Sequence, residues 1–573
     1  MTPTGHAFEL PSAKNLSVEA AVEQFVSTDL FWQMLASDGH DVILGTRGSG
    51  KTMLLRMMSV QHLAQYKDRD PRALAALRER KRYGIFMPFG VDWCVARADE
   101  QRLDRLFVDG VNLVSAEAYL DVLDALIRLG LEGQSNPIAA ETTLSHELSL
   151  LWFRNSPRLF SSFASLRSFL WRQQAILRDL WRFDEPPTDV QEDAATYVFR
   201  SSTIFAPLAA AARLANQVFH LSPDHRWLLC LDELEDLKPR QMAALTTLLR
   251  GSVPNLVMKI TTQPYTIEEQ TGTHFAAETS AVDHRDYNIH RLQIDPGTVE
   301  YRHFVSEIVR KRLGSPTGDG EQMAKSLFGT SSFAERAETV DRTFPKRREE
   351  ILASTNADSA RKRIPVAAIR TLRRAFEGHR NSVAYSGWDT LVRLSDGNPG
   401  MFVRLLNELG VHEGSNKLDA ETQHSTVTDL AKAWHEWSQA LYSDGTRLHR
   451  MIGEIGELLS NRIHTRAIED KEAADEMNRF ALDLRDLPSA DATALKVGAR
   501  HGLLVAEENR SSLHYPLGEG IWRLSYALAP KFWLLPRRGR VGAGLTRQLS
   551  LIPRDTSFDE RRSVPTDRDN EEV

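Results

Sequence analysis

The sequence predicts an α/β protein: a parallel sheet with helices on both faces, then a helical module and a small helix-and-hairpin module. Three stretches carry that prediction. In the first, the apolar run Asp41-Val42-Ile43-Leu44 leads into Gly45-Thr46-Arg47-Gly48-Ser49-Gly50-Lys51-Thr52, and the good helix formers Met53 to Met58 follow. In the second, Arg226-Trp227-Leu228-Leu229-Cys230-Leu231 runs straight into Asp232 and Glu233. A continuous apolar run of this length suits a parallel strand covered on both faces. The third is Ala494 to Val505, a short helix leading into a strand, with Trp522 to Leu528 able to pair back on it.

The first stretch reads G-x-x-x-x-G-K-[ST] without mismatch and has the strand–loop–helix context that a phosphate-binding loop requires. This makes the fold class a P-loop NTPase. Glycines let successive backbone N–H groups turn inward around phosphate oxygens, and the following helix adds partial positive charge at the same point. Gly45, Thr46, Arg47, Gly48, Ser49 and Gly50 form the cradle. Lys51 can reach the β- and γ-phosphates, and the Thr52 hydroxyl can ligate Mg²⁺. In the second stretch the acids fall at the C-terminal end of a strand, where doubly wound sheets bind ligands. Asp232 is placed to hold the Mg²⁺ shell, and Glu233 to orient and deprotonate the attacking water. Glu235 and Asp236 read as capping or surface acids. Leu256 to Pro264 is a further strand with a polar end. Thr262 is the first choice for a contact to the γ-phosphate or the water, with Thr261 and Gln263 as alternatives.

The remaining elements follow in order. Residues 1–40 hold an N-terminal helical segment, with Val18, Ala21, Val22, Phe25 and Val26 on one stripe. Residues 41–300 form the ATPase core, with Tyr83 to Phe89 as its second strand and Tyr287 to Ile294 as its last. A helical insertion occupies about 99–225; its aromatics read as core. Residues 301–410 form a helical module in which Gly397 stops one helix, Asn398 caps the next and Pro399 takes its first position. Ala334 to Arg363 reads as a solvated helix or a loosely ordered connection, and His412 to Thr426 as a polar linker. Residues 427–536 read as a winged helix with the recognition segment Leu495 to His501, which carries only Lys496, Arg500 and His501 as cationic groups. Residues 537–573 read as a disordered tail, with five arginines and no acid between Arg537 and Arg554.

Composition excludes several classes. With 42% hydrophobic and 26% charged residues in 573, the chain is globular, and a net charge of −6 confines any DNA-binding surface to a local patch. Cys94 and Cys230 both sit in apolar runs; two cysteines make neither a disulfide scaffold nor a structural zinc site. No apolar run approaches a membrane span and the first residues lack a signal-peptide core, so the expected location is cytoplasmic, with no membrane partner.

With both nucleotide motifs and the Gly397-Asn398-Pro399 element in view, the chain resembles the origin-recognition/initiator (ORC-like) branch of AAA+ ATPases and the related signal-transducing (STAND-like) ATPases. The resemblance spans roughly Val18 to Leu409 outside the insertion, and extends more weakly to the winged helix. It implies a five-stranded parallel sheet, a helical lid, ATP and Mg²⁺ as cofactors, slow hydrolysis to ADP and phosphate, and homo-oligomerisation on ATP binding. It leaves two partners open, duplex DNA or an effector protein as in bacterial defence. Such families place a lid arginine directly after a Gly-x-x triplet; here that position is Gly400. Arg404, one turn later on the same face, is the candidate substitute. Arg285 and Arg291 are candidates for an arginine acting in trans.

Overall fold

The computed structural model describes residues 13–89, 100–131, 136–153, 159–182, 199, 203–251, 253, 255–266, 286–313, 318–379, 382–412, 415–441, 445–465, 478–507, 519–539 and 541–542. Five strands, β1 (His40–Leu44), β2 (Arg82–Pro88), β3 (Arg226–Asp232), β4 (Leu256–Thr262) and β5 (Tyr287–Arg291), form one sheet in the order β2-β3-β4-β1-β5. Every pairing is parallel. The apolar runs lie where the sequence placed them because the central strands are covered on both faces. All seven residues of β4 are buried, as are all of β3 after Arg226. Cys230 is buried there, and burial pushes its thiol up to about 12, so it acts as a small apolar side chain. Cys94 lies outside the described residues.

One part of β4 is not apolar. Lys259 is buried at the end of the sheet opposite the glycine loop, where its ammonium meets the Asp41 carboxylate and donates to the Gly39 carbonyl at 2.9 Å. His290 Nε2 bonds Asp41 at 2.9 Å from β5. Three strands thus share one buried polar cluster, tolerated because each charge has a partner.

Among the described residues, four helices stand between β2 and β3: Glu100–Arg128, Pro137–Trp152, Phe163–Arg182 and Ala206–Val218. Tyr119 of the first meets Trp227 of β3 edge-on at 4.9 Å, which ties the insertion to the sheet. Trp171, in contrast to the expected core role of these aromatics, is half exposed.

The N-terminal segment is two helices, Val18–Gln24 and Asp29–Ala36, split where the Thr28 hydroxyl accepts from Phe31 N and starts the second. The charged span from 334 to 363 is ordered as parts of Phe333–Val340, Phe344–Ser354 and Ala357–Glu377, each started by its own turn. The polar linker expected over 412–426 is also fixed where it is described. Leu418 N donates to Leu327 O at 2.9 Å. A helix begins at Ala420, and the buried Gln423 amide bonds Phe328 O, Leu418 O and Gly387 N.

A second, four-stranded sheet has the order β7-β8-β6-β9. Its strands are β6 (Arg479–Asp483), β7 (Leu504–Glu507), β8 (Glu519–Leu524) and β9 (Val541–Gly542). The helix Ser489–Arg500 feeds β7, which pairs antiparallel with β8 as the hairpin signal predicted; β6 and β9 were not foreseen. The first residues of the expected tail are therefore structured. Pro365 lies inside the helix Ala357–Glu377 and has no N–H for the Arg361 carbonyl. The Arg537 guanidinium takes that carbonyl at 3.2 Å and the Lys362 carbonyl at 2.8 Å. Residues 543–573 lie outside the described residues. No described helix is long and apolar enough to cross a membrane.

Candidate nucleotide site

The glycine loop leaves β1 at the C-terminal edge of the first sheet. Gly45 N donates to Thr262 O at 3.1 Å, which fastens the loop to the end of β4. Gly48 adopts φ +85°, a left-handed conformation that an L side chain rarely takes. Lys51 Nζ turns into the loop and donates to Gly45 O at 2.6 Å and Thr46 O at 3.3 Å. Thr52 follows as the second residue of the helix Lys51–Met57 and is half-buried.

The acids meet the loop from β3. Asp232 is fully buried, and its Oδ1 accepts from the Thr261 hydroxyl of β4. Asp232 Oδ2 has no partner among the described residues, and neither do the buried hydroxyls of Thr262 and Ser49. The strand end thus engages the acid through Thr261, the alternative, while Thr262 contributes its backbone carbonyl to the loop. Glu233 follows at φ 63°, a left-handed conformation costing about 1 kcal/mol or more for a non-glycine residue.

Glu235 is the main correction. The sequence reading made it a capping or surface acid. Its side chain is only 12% exposed and lies 4.0 Å from Lys51 Nζ. It reaches the site because the strained Glu233 turns the chain into the short 3-10 segment Leu234–Asp236. Burial pushes its carboxyl up, and the Lys51 charge offsets part of that.

The loop is also held from outside. Asn398 caps the helix Pro399–Glu408 as predicted, its Oδ1 accepting from Met401 N at 3.0 Å. Its Nδ2 turns to the loop and donates to Thr46 Oγ1 at 3.1 Å and Arg47 O at 2.8 Å. Gly400 N donates to Gly48 O at 2.9 Å. A Cβ on Gly400 would lie 2.8 Å from Gly48 Cα, so only glycine allows this approach. From the second sheet's module, Arg500 O accepts from Arg47 N at 3.4 Å, and Arg500 Nε donates to Pro264 O at 3.3 Å. Tyr265, just past β4, stacks on Trp522 of β8 with centroids 5.7 Å apart. His501 lies nearby, its imidazole pushed down to about 4 by burial and by the Arg47 and Arg500 charges.

The ORC-CDC6-like family matches the chain over residues 6–355 and 321–543. The chain belongs to that family. None of the curated proteins compared matches it. Membership agrees with the resemblance to an ORC-like AAA+ ATPase and with the five-stranded parallel sheet.

Against the ORC-like expectation, the position after Gly397-Asn398-Pro399 has no arginine because the backbone there touches the loop. The guanidinium of Arg404 lies 5.8 Å from the centre of the Trp434 ring, a packing placement on the helix Ala420–Trp437. Arg291 ends β5 in register with Leu44 and is half-buried; Arg285 lies outside the described residues. Asn398, Gly400 and Glu235 are the site residues that sequence reasoning missed. Only Asn398 left a sequence signal, as a helix cap, and that signal names a different partner.

The residues fit a nucleotide triphosphate with a divalent ion. A lysine lies in the loop on carbonyls that a phosphate would displace, and two hydroxyls and two carboxylate oxygens, Asp232 Oδ2 and Glu235 Oε2, are buried without partners among the described residues. Buried polar atoms of this kind are costly unless something satisfies them.

Proposed function

We propose that this ORC-CDC6-like protein is an ATP-binding switch that hydrolyses ATP slowly and passes its nucleotide state to the C-terminal module. The observation that carries this reading is the convergence on one loop. Lys51 and Glu235 reach it from the core, Asn398 and Gly400 from the helical region after 301, and Arg500 from the module of the second sheet. In this reading the region 301–410 is the lid and 427–536 the winged helix. Lys51 binds the terminal phosphates, and Thr52 and Asp232 hold Mg²⁺, which neutralises phosphate charge when bound. Glu233 is the base that takes the proton of the attacking water, and Glu235 keeps Lys51 aligned. Thr261 and Thr262 set the acid and the loop. ATP-driven association of copies belongs to the same reading. Phosphate release by the wild type and by Glu233→Gln tests it. The variant is expected to bind ATP–Mg²⁺ while its turnover falls by about 10²-fold or more. Equal turnover in the two would refute Glu233 as the base.

The nature of the downstream partner has two readings. DNA association is supported by the exposed cations Arg361 and Lys362, whose carbonyls the Arg537 guanidinium meets from the second module. The signal-transducing alternative is favoured by the placement of Leu495 to His501. That segment packs on Arg47 and Pro264 instead of facing solvent, so it reads nothing until the module moves. Duplex binding titrated against salt, with and without ATP–Mg²⁺, separates them. The DNA reading expects salt-sensitive binding that ATP changes, and the alternative expects none.

A further inference from the structure

The turn Asp396 to Gly400 is tied to both sheets. Asp396 lies at φ 54° and forms a two-pronged ion pair with Arg523 of β8, at 2.6 and 3.0 Å. Both side chains are buried, at 5% and 8% exposure. Tyr526 N adds a bond to Asp396 Oδ2 at 3.2 Å, and the guanidinium lies 4.0 Å over the Tyr526 ring. The next residue, Gly397, sits so close to the chain after β5 that a Cβ would lie 1.8 Å from Ile294 O. The turn therefore has little freedom.

Its effect on the loop follows from peptide geometry. In a trans peptide the C=O of one residue and the N–H of the next point in opposite directions. Arg47 N is held outside by Arg500 O, so Thr46 C=O faces inward, where Lys51 Nζ finds it. Arg47 O is held outside by Asn398, so the Gly48 N–H faces inward. Gly48 O is held outside by Gly400 N, so the Ser49 N–H faces inward, where it donates to Thr46 O at 3.1 Å and closes the turn of the loop. Three successive peptide units of the loop are oriented from behind.

The geometry points to Asp396 and Arg523 as positioning residues for the phosphate loop. Their ion pair fixes the turn, and the turn aims the Gly48 N–H at the phosphates and holds the Ser49 N–H on Thr46 O through main-chain contacts, where the family resemblance implies a lid arginine. This inference rests on the nucleotide reading above, but its consequence for the loop backbone does not need a nucleotide.

The test compares full-length wild type, Arg523→Gln, Gly400→Ala and the double variant. Amide exchange is followed in the peptide spanning 45–52, with 256–262 as internal control, and ATP–Mg²⁺ affinity is measured by titration. Each single change is expected to speed exchange in 45–52 alone and weaken ATP by about tenfold, the worth of roughly one hydrogen bond. The double variant is expected to bind within about twofold of the weaker single, because both changes break one connection. Arg523→Lys keeps the charge but not the two-pronged bond, and it carries the same test should the glutamine variant fail to fold. Wild-type loop exchange in the Arg523 variants, or single effects that multiply to about a hundredfold, would overturn the inference. If the wild type binds no ATP, the nucleotide reading fails, and the exchange measurement alone decides the role of the pair.

Discussion

Asn398→Asp separates the two jobs of one side chain. The carboxylate keeps an acceptor for Met401 N, so the helix Pro399–Glu408 stays capped. It has no donor for Thr46 Oγ1 or Arg47 O, which now accept at 3.1 and 2.8 Å. Two neutral hydrogen bonds are worth about 2 kcal/mol together, and the new charge faces the Arg47 carbonyl. ATP affinity should fall by about ten- to thirtyfold. The thermal midpoint should stay close to wild type, since aspartate caps a helix as well as asparagine does. Titration calorimetry with ATP–Mg²⁺, alongside a melt of each protein, reads both quantities. Asn398→Ala is the contrast: it loses the cap as well and should lower the melting midpoint. Wild-type ATP affinity in Asn398→Asp would refute the idea that the turn Asp396 to Gly400 shapes the loop.

Three further outcomes are expected. Glu235→Gln should weaken ATP binding less than it slows turnover if Glu235 aligns Lys51, whereas a complete loss of turnover with Glu233→Gln still active would move the base to Glu235; steady-state phosphate release decides. Arg404→Ala should leave ATP affinity unchanged and cost stability through the lost packing on Trp434, so a large rise in Kd would restore a nucleotide role for that arginine. Burial pushes the imidazoles of His62, His225, His424, His464 and His501 down to about 4. Unfolded histidines titrate near 6.5, so their contribution is fully present above that pH and is lost as pH falls towards 4. Urea midpoints should drop between pH 7 and 5, and a flat profile would contradict the buried neutral assignment.

The sheet and the cradle were legible because their signals are local. The apolar runs of β3 and β4 mark strands buried on both faces, and the loop's glycines, lysine and threonine are fixed by the geometry of one short segment. What sequence could not give depends on distant partners. Glu235 looked like an acid of a first helical turn, and only the left-handed Glu233 turns it back onto Lys51. Gly400 looked like a missing arginine, yet it meets Gly48, which lies hundreds of residues earlier. The tail looked free because Pro365, which opens the Arg361 carbonyl to Arg537, belongs to another helix. Lys259 and its partner Asp41 lie on different strands, β4 and β1, so no local pattern pairs them.

The central claim is that the loop at Lys51 binds ATP. Lys51→Ala removes the charged contact to the terminal phosphates, worth about 1.5–3 kcal/mol, which corresponds to roughly ten- to a hundredfold in affinity. Isothermal titration of ATP–Mg²⁺ into wild type and Lys51→Ala tests it most directly. The account predicts saturable binding to the wild type and a loss of that size in the variant; equal affinity in the two, or no binding by the wild type, would contradict it.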